Sequence, residues 1–345
     1  MEPPFYKEDK DGYRYQAIET SDSILQTLSS QNTDSVYPPP RVFWSPYSQV
    51  NTVAIYVLEK AYDSSCFKGH DGPSVKTIKT GRFQATDLAG AATIYDATHP
   101  IDEEKHGVAV LNRIGSKHYG SCRGSLCNCY VVQVRWGKDR EGFYDANQWE
   151  EAISIIKKHF KELKEAIHSD PYKFAILNIS HDVRNTKDIQ KALQGLFDDG
   201  FVVVAAAGNR RENLDLPKVR EKYAPEANPN TILIGALDQD WYGAWHSGQD
   251  PTLGSNYGSR VDYWVRGHNV EFHEPNLEMS GTSHACPTAV GVIASMLSAG
   301  QITSTKAQDV RAYLDKCAVP ALSIEGQKTK HLRNHSGLFP VAHPF

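Results

Sequence analysis

Residues Phe201 to Ala206 read Phe-Val-Val-Val-Ala-Ala, without one polar side chain, and lead into Ala207-Gly208-Asn209. It is far too short to span a membrane. It is apolar at consecutive rather than alternate positions, the pattern of a strand covered on both faces. Comparable runs occupy residues 53–58, 130–136, 174–179 and 231–236. Amphipathic or apolar stretches predict helices over 107–114, 148–167, 186–197, 283–298 and 305–317. Short buried strands alternating with helices define an α/β fold: a mostly parallel central sheet with helices on both faces, three layers in all.

The order of these elements divides the chain of 345 residues. Residues 1–50 read as an extension, with a predicted helix within 13–29 and an extended Tyr37-Pro38-Pro39-Pro40 linker. Residues 51–317 hold the alternating pattern and form one domain, and 318–345 read as a tail packed on it. Residues 68–81, 138–145 and 209–227 read as irregular excursions. A net charge of −4 gives no ground for a nucleic acid or an anionic membrane as partner. Met1 to Tyr15 is polar and lacks the apolar segment of a secretory signal. An intracellular protein is the expectation, or a secreted one if a leader precedes the chain. The 1–50 extension is the candidate contact for a protein partner.

The chemistry concentrates at four places. Met279-Ser280-Gly281-Thr282-Ser283-His284-Ala285-Cys286-Pro287 leads into an apolar helix. A serine at such a helix start meets unpaired N–H groups and a partial positive charge, which favour an anion forming beside it. Proline is expected in the first helical turn, where its missing N–H has no partner to lose. Asn209 closes a buried strand with an amide of the kind that donates to an oxyanion. His106-Gly107 precedes Val108-Ala109-Val110-Leu111 and sets an imidazole at a helix start. Glu59 follows the 53–58 run and sets a carboxylate at a strand end. In open α/β sheets such groups converge at the carboxyl ends of strands.

Taken together, these segments resemble the subtilisin-like serine proteases, the proteinase K branch being closest. Gly281-Thr282-Ser283-x-Ala285-x-Pro287 matches that family's nucleophile signature, Ala206 to Asn209 its oxyanion motif, and His106-Gly107 with Gly115-Ser116 its histidine helix. Val53 to Glu59 matches the strand of the family acid, and the order acid, histidine, serine is the subtilisin order. The resemblance implies a serine endopeptidase acting on polypeptides. Ser283 would be the nucleophile, His106 the general base, Glu59 the orienting acid, and Asn209 the oxyanion donor. It also implies structural calcium, although no ligand set can be traced in the sequence, and no other cofactor is expected.

Departures from the family pattern point to narrow specificity. The acid is Glu59 where the family has Asp, with Asp63 as its nearest rival. The specificity strand ends Ser180-His181-Asp182 instead of Ser-Leu-Gly. An acidic side chain there would narrow the pocket or favour a basic residue before the scissile bond. The substrate-pairing edge reads Lys138-Asp139-Arg140-Glu141-Gly142-Phe143, with Gly142 its candidate contact. Two other readings stay open: a catalytically impaired peptide-binding module, and a maturase that passes its acyl group to an amine or alcohol. The six cysteines are too dilute for a disulfide scaffold. Cys122, Cys127 and Cys129 lack a standard zinc spacing even with His118 nearby, and Cys286 has the position of a small packing residue.

Overall fold

A computed structural model describes residues 6–8, 14–16, 52–59, 75–78, 106–107, 109–110, 113–114, 129–135, 146–165, 172–238, 244–268, 270–271, 278–324 and 327–331. The apolar runs form strands β3 (Thr52–Glu59), β5 (Cys129–Arg135), β6 (Tyr172–Ile179), β7 (Phe201–Ala206) and β8 (Ile232–Leu237). Short strands β1 (Tyr6–Glu8) and β2 (Arg14–Gln16) pair with each other, and so do β10 (Val270–Glu271) and β11 (Glu278–Met279). Among the described residues the main sheet has nine strands in the order β12-β13-β9-β8-β7-β6-β3-β5-β4. Its new members are β4 (Val75–Ile78), β9 (Tyr263–Arg266), β12 (Val319–Ile324) and β13 (Gln327–His331). Every pairing in it is parallel except β12 with β13. This is the mostly parallel sheet that the apolar runs predict, with β7 at its centre.

Side chains alternate across each strand and so build two cores. Val53, Ile55, Val57, Ile176, Val204 and Ile234 face one way, against the Thr282–Ser298 helix and Val310 and Leu314. Ala54, Tyr56, Leu58, Leu177, Val203 and Leu233 face the other way. There they meet Trp149, Ile153, Ile156 and Phe160 of the Ala146–Glu165 helix and Ile189, Leu193 and Leu196 of the Lys187–Asp198 helix. Thr186 caps the latter, its hydroxyl accepting from the Ile189 N–H at 3.2 Å. The Thr282–Ser298 helix carries no charge and buries every residue but Ser295, as a helix apolar on all sides must.

Five expectations change. Within 13–29, residues 14–16 form strand β2 instead of helix. The stretch 68–81 contains β4, and the tail after residue 318 contributes β12 and β13. Residues 209–227 include two short helices, Pro217–Arg220 and Ala224–Ala227. The apolar helix starts at Thr282, so Pro287 lies inside it and not in its first turn. With no N–H to offer, Pro287 leaves the Ser283 carbonyl without its usual helical partner.

The chain leaves β3 toward β4 and β5 on one side, and later lays β6 to β9 on the other. That reversal makes the carboxyl end of β3 a topological switch point, where open α/β sheets form a crevice.

Candidate active site

Three parallel strands deliver their carboxyl ends to this crevice. β3 ends at Glu59, β6 runs into Ser180-His181-Asp182, and β7 runs through Ala207-Gly208 into Asn209. The Thr282–Ser298 helix packs on β6, β7 and β8 and brings its N-terminus to the same edge.

Thr282 joins helix to strand. Its hydroxyl accepts from the Gly208 N–H at 3.2 Å and donates to Asn209 Oδ1 at 2.8 Å, while its N–H donates to the same oxygen at 2.9 Å. Two donors on one oxygen fix which end of the amide is which, and they turn Asn209 Nδ2 outward. Gly281 shows where that nitrogen points. A Cβ on Gly281 would lie 3.2 Å from Asn209 Nδ2 and 3.4 Å from Ser283 Oγ. The hydroxyl and the amide therefore flank one small gap, kept open because Gly281, at φ 146°, has no side chain. Asn209 Nδ2 and the Ser283 N–H have no protein acceptor among the described residues, so two donors stand unused beside one hydroxyl.

The loop bearing Asn209 is held by a residue the sequence reading missed. Asn256 is fully buried, and its Nδ2 donates to Ala207 O at 2.8 Å. Its Oδ1 accepts from the N–H groups of Arg210 (3.1 Å) and Glu212 (2.9 Å). A Cβ on Gly208, at φ 96°, would meet Asn256 Nδ2 at 2.5 Å, so close packing there requires glycine. The sequence signal was modest: an asparagine between Gly254 and Gly258 in a polar stretch.

His106 is half-buried and helical, and its ring centroid lies 5.4 Å from that of His284, the residue after Ser283. His284 is fully enclosed. Burial, with the charges of His106 and Arg113 adding to it, holds its pKa well below the ordinary histidine value. The imidazole beside His106 is therefore neutral and offers no competing charge. Glu59 holds the strand-end position, paired in register with Arg135, and its side chain lies outside the described residues. Gly142 and Asp63 also lie outside them.

The specificity candidates separate. Ser180 is buried, and its hydroxyl accepts from Asn178 Nδ2 at 2.9 Å, facing the interior. The Cys286 thiol donates to the other end of that amide at 3.3 Å, so the cysteine satisfies a buried polar group as well as filling space. His181 is half-buried, and Asp182 is exposed. Arg210 grips Asp182 through both terminal nitrogens, at 2.6 and 3.2 Å, and lies 4.2 Å above the Tyr223 ring. Such a forked pair neutralises the carboxylate. Among the described residues no group of three or more His, Cys, Asp or Glu side chains could hold a metal ion, and no helix is long and apolar enough to cross a membrane.

The profile of the subtilase (peptidase S8) family matches residues 62–337, opening just beyond Glu59, and the chain belongs to that family. A cuticle-degrading serine protease of Arthrobotrys oligospora is 26% identical over 327 residues, covering 90% of this chain and 69% of the relative. Subtilisin-like protease 2 of Arthroderma otae is 25% identical over 266 residues, 74% of this chain and 56% of the relative. A subtilase-type proteinase of Saccharomyces cerevisiae is 30% identical over 215 residues, 61% and 39% of the two chains. The chain thus spans little more than half of the Arthroderma protein. A cold-adapted subtilisin-like serine proteinase superposes with a TM-score of 0.61 over 87% of this chain and 94% of that one, at 18% identity. The A-subunit of the AB5 toxin from E. coli does so at 0.57, over 83% and 91%, with 20% identity. These two share its fold.

Proposed function

We propose that this protein is a serine endopeptidase that cleaves polypeptides through an acyl-enzyme on Ser283. One observation carries the reading. Thr282 turns the Asn209 amide so that its N–H₂ and the Ser283 hydroxyl flank the gap at Gly281, beside the unused Ser283 N–H. As Ser283 Oγ bonds to the scissile carbonyl carbon, its proton passes to His106. The negative charge moves to the carbonyl oxygen, where Asn209 Nδ2 and the Ser283 N–H receive it. Collapse expels the amine, protonated by His106, and water then repeats the sequence to release the acid. Glu59 takes the role of the carboxylate that holds the His106 tautomer.

The Asp182–Arg210 pair supports a narrowed pocket over a free anion awaiting a basic side chain. Substrates with small residues before the scissile bond fit that arrangement, which agrees with narrow specificity.

A fluorophosphonate probe tests the core of the reading. It should label the protein at Ser283, with labelling lost in Ser283→Ala and His106→Ala. Peptide turnover should drop on the order of a million-fold in either variant. An unlabelled wild-type protein at every pH would overturn the proposal in favour of a peptide-binding module. Glu59→Ala and Asp63→Ala under turnover assign the acid: loss with Asp63→Ala alone would remove Glu59 from the triad.

A further inference from the structure

The chain that follows β6 and the chain that follows β7 meet in a surface slot next to Asn209. The Ala224 N–H donates to Val183 O at 2.8 Å, and Arg184 forms an antiparallel bridge with Tyr223. These contacts set the Tyr223 ring close to Asp182, and the Arg210 side chain fills the space between them. Its two terminal nitrogens donate to the Asp182 carboxylate at 2.6 and 3.2 Å. Its Nε makes an ion pair with Glu212 Oε2 at 3.5 Å, and its central carbon lies 4.2 Å from the centre of the Tyr223 ring. Among the described residues the Asp182 carboxylate accepts hydrogen bonds from Arg210 alone, and Glu212 is held separately by Lys222 at 2.8 Å. The Asp182 side chain keeps 49% of its exposure and that of Arg210 32%, so the slot opens to solvent.

A carboxylate that accepts in a fork, an aromatic face and a second anion alongside are the groups that bind a guanidinium or an amidinium ion. Here the occupant belongs to the chain itself and is the residue that follows Asn209. A peptide whose carbonyl oxygen rests on Asn209 Nδ2 brings its adjoining side chains near this slot, because consecutive residues lie only about 3.8 Å apart. We propose that Arg210 is a specificity-determining residue: a built-in guanidinium that occupies a cation-binding slot and so excludes peptides with Lys or Arg before the scissile bond. Removing its side chain frees both Asp182 oxygens and the Tyr223 face together, and the lining that held one guanidinium then accepts another. The Arg210 backbone N–H stays bonded to Asn256 Oδ1 at 3.1 Å, so shortening the side chain leaves the Asn209 loop anchored. The inference rests on the proteolytic reading for the identity of the substrate, whereas the slot itself is measurable without turnover.

The first measurement is calorimetric titration of the full chain with benzamidinium, a forked cation on an aromatic ring. Arg210→Ala should bind it at least about tenfold more tightly than the wild type, as expected for hydrogen bonds to a charged partner. Arg210→Ala/Asp182→Asn should lose that gain, and Arg210→Lys, which keeps a cation in the slot, should never show it. Arg210→Ser empties the slot as well and should behave like Arg210→Ala. The second measurement is kcat/KM on matched peptides with Arg or Ala before the scissile bond. The ratio of Arg to Ala should rise about ten- to a hundred-fold in Arg210→Ala and fall back when Asp182→Asn is added. Equal benzamidinium affinity in the wild type, Arg210→Ala and Arg210→Ser would overturn the proposal whether or not the protein cleaves peptides, and so would a gain that survives Asp182→Asn. A wild type that cleaves no peptide, beside variants that gain benzamidinium, would refute the proteolytic reading and confirm the slot. Failure of both single variants to fold would overturn the proposal, because the ion pair would then hold the fold and not select the substrate.

Discussion

Two asparagines at neighbouring strand ends show how differently the same side chain can be used. Asn178, near the end of β6, is fully buried and engaged at both ends of its amide, by Ser180 Oγ at 2.9 Å and by the Cys286 thiol at 3.3 Å. Asn209, just past β7, is half-exposed and, among the described residues, engaged at one end only: two donors from Thr282 hold its oxygen, and its nitrogen faces the gap beside Ser283. A satisfied amide fixes structure, because any change leaves a buried partner unpaired. An amide held by one end is oriented with its donors free, and under the proposed mechanism those donors would receive the developing charge.

If that contrast is right, substitutions at the two positions separate activity from stability. Asn209→Ala should lower kcat by about a hundred- to a thousand-fold, about 3–4 kcal/mol of barrier, in a peptide turnover assay. Its Tm should stay close to the wild type, apart from the loss of the Thr282 contacts. A variant that melts far lower while its remaining folded fraction turns over normally would invert the assignment. Asn178→Ala should do the reverse, costing about 2–3 kcal/mol of unfolding free energy through orphaned Ser180 and Cys286 groups and the space left behind. Denaturant titration reads that loss directly, and kcat should remain within a few-fold. Cys286→Ala removes only one of the two partners, so about 1 kcal/mol is expected from the same titration. A cost equal to that of Asn178→Ala would mean packing, and not the thiol contact, dominates there.

The pH-dependent effect concerns Glu226, a buried acid whose Oε2 has no protein partner among the described residues. Burial, aided by the Asp182 charge, pushes its pKa up to about 8 from 4.5, with a backbone hydrogen bond and Arg210 and Arg260 opposing. The folded protein therefore holds this proton over a range in which the unfolded chain has lost it. Its contribution is full below pH 4.5 and declines as the pH rises toward about 8. Glu226→Gln should flatten that decline, raising Tm relative to the wild type by about 4–6 °C more at pH 8 than at pH 5. A difference in Tm that stays constant with pH would mean that the carboxyl is not titrating in this window.

Much of the architecture was legible because burial on two faces leaves consecutive apolar residues. The run 201–206 matches β7 without adjustment, and the run 53–58 gains a single residue at each end as β3. The elements missed are those that burial does not mark. β13 reads Gln-Lys-Thr-Lys-His and joins the sheet through a parallel pairing of His331 with Trp264, and β4 alternates no apolar face strongly enough to read as a strand. Backbone hydrogen bonds at a sheet edge ask little of side chains. The site divides likewise. Ser283, His106 and Asn209 stood out because their neighbours in sequence form motifs. Asn256 and the Arg210 grip on Asp182 did not, because each depends on contacts across 28 or more positions.

Reading along the chain is enough for the layers, the strand that leads to Asn209, the helix that begins beside Ser283, and membership of the subtilase family. These follow from local periodicity and from residues adjacent in the chain. Contacts made on folding settle which end of the Asn209 amide Thr282 holds, that Asp182 is neutralised by Arg210, and that Arg260 and Arg311 meet on Asp262. Hydrogen bonds and ion pairs of that kind join groups far apart in sequence, and their directions exist only after the chain has folded.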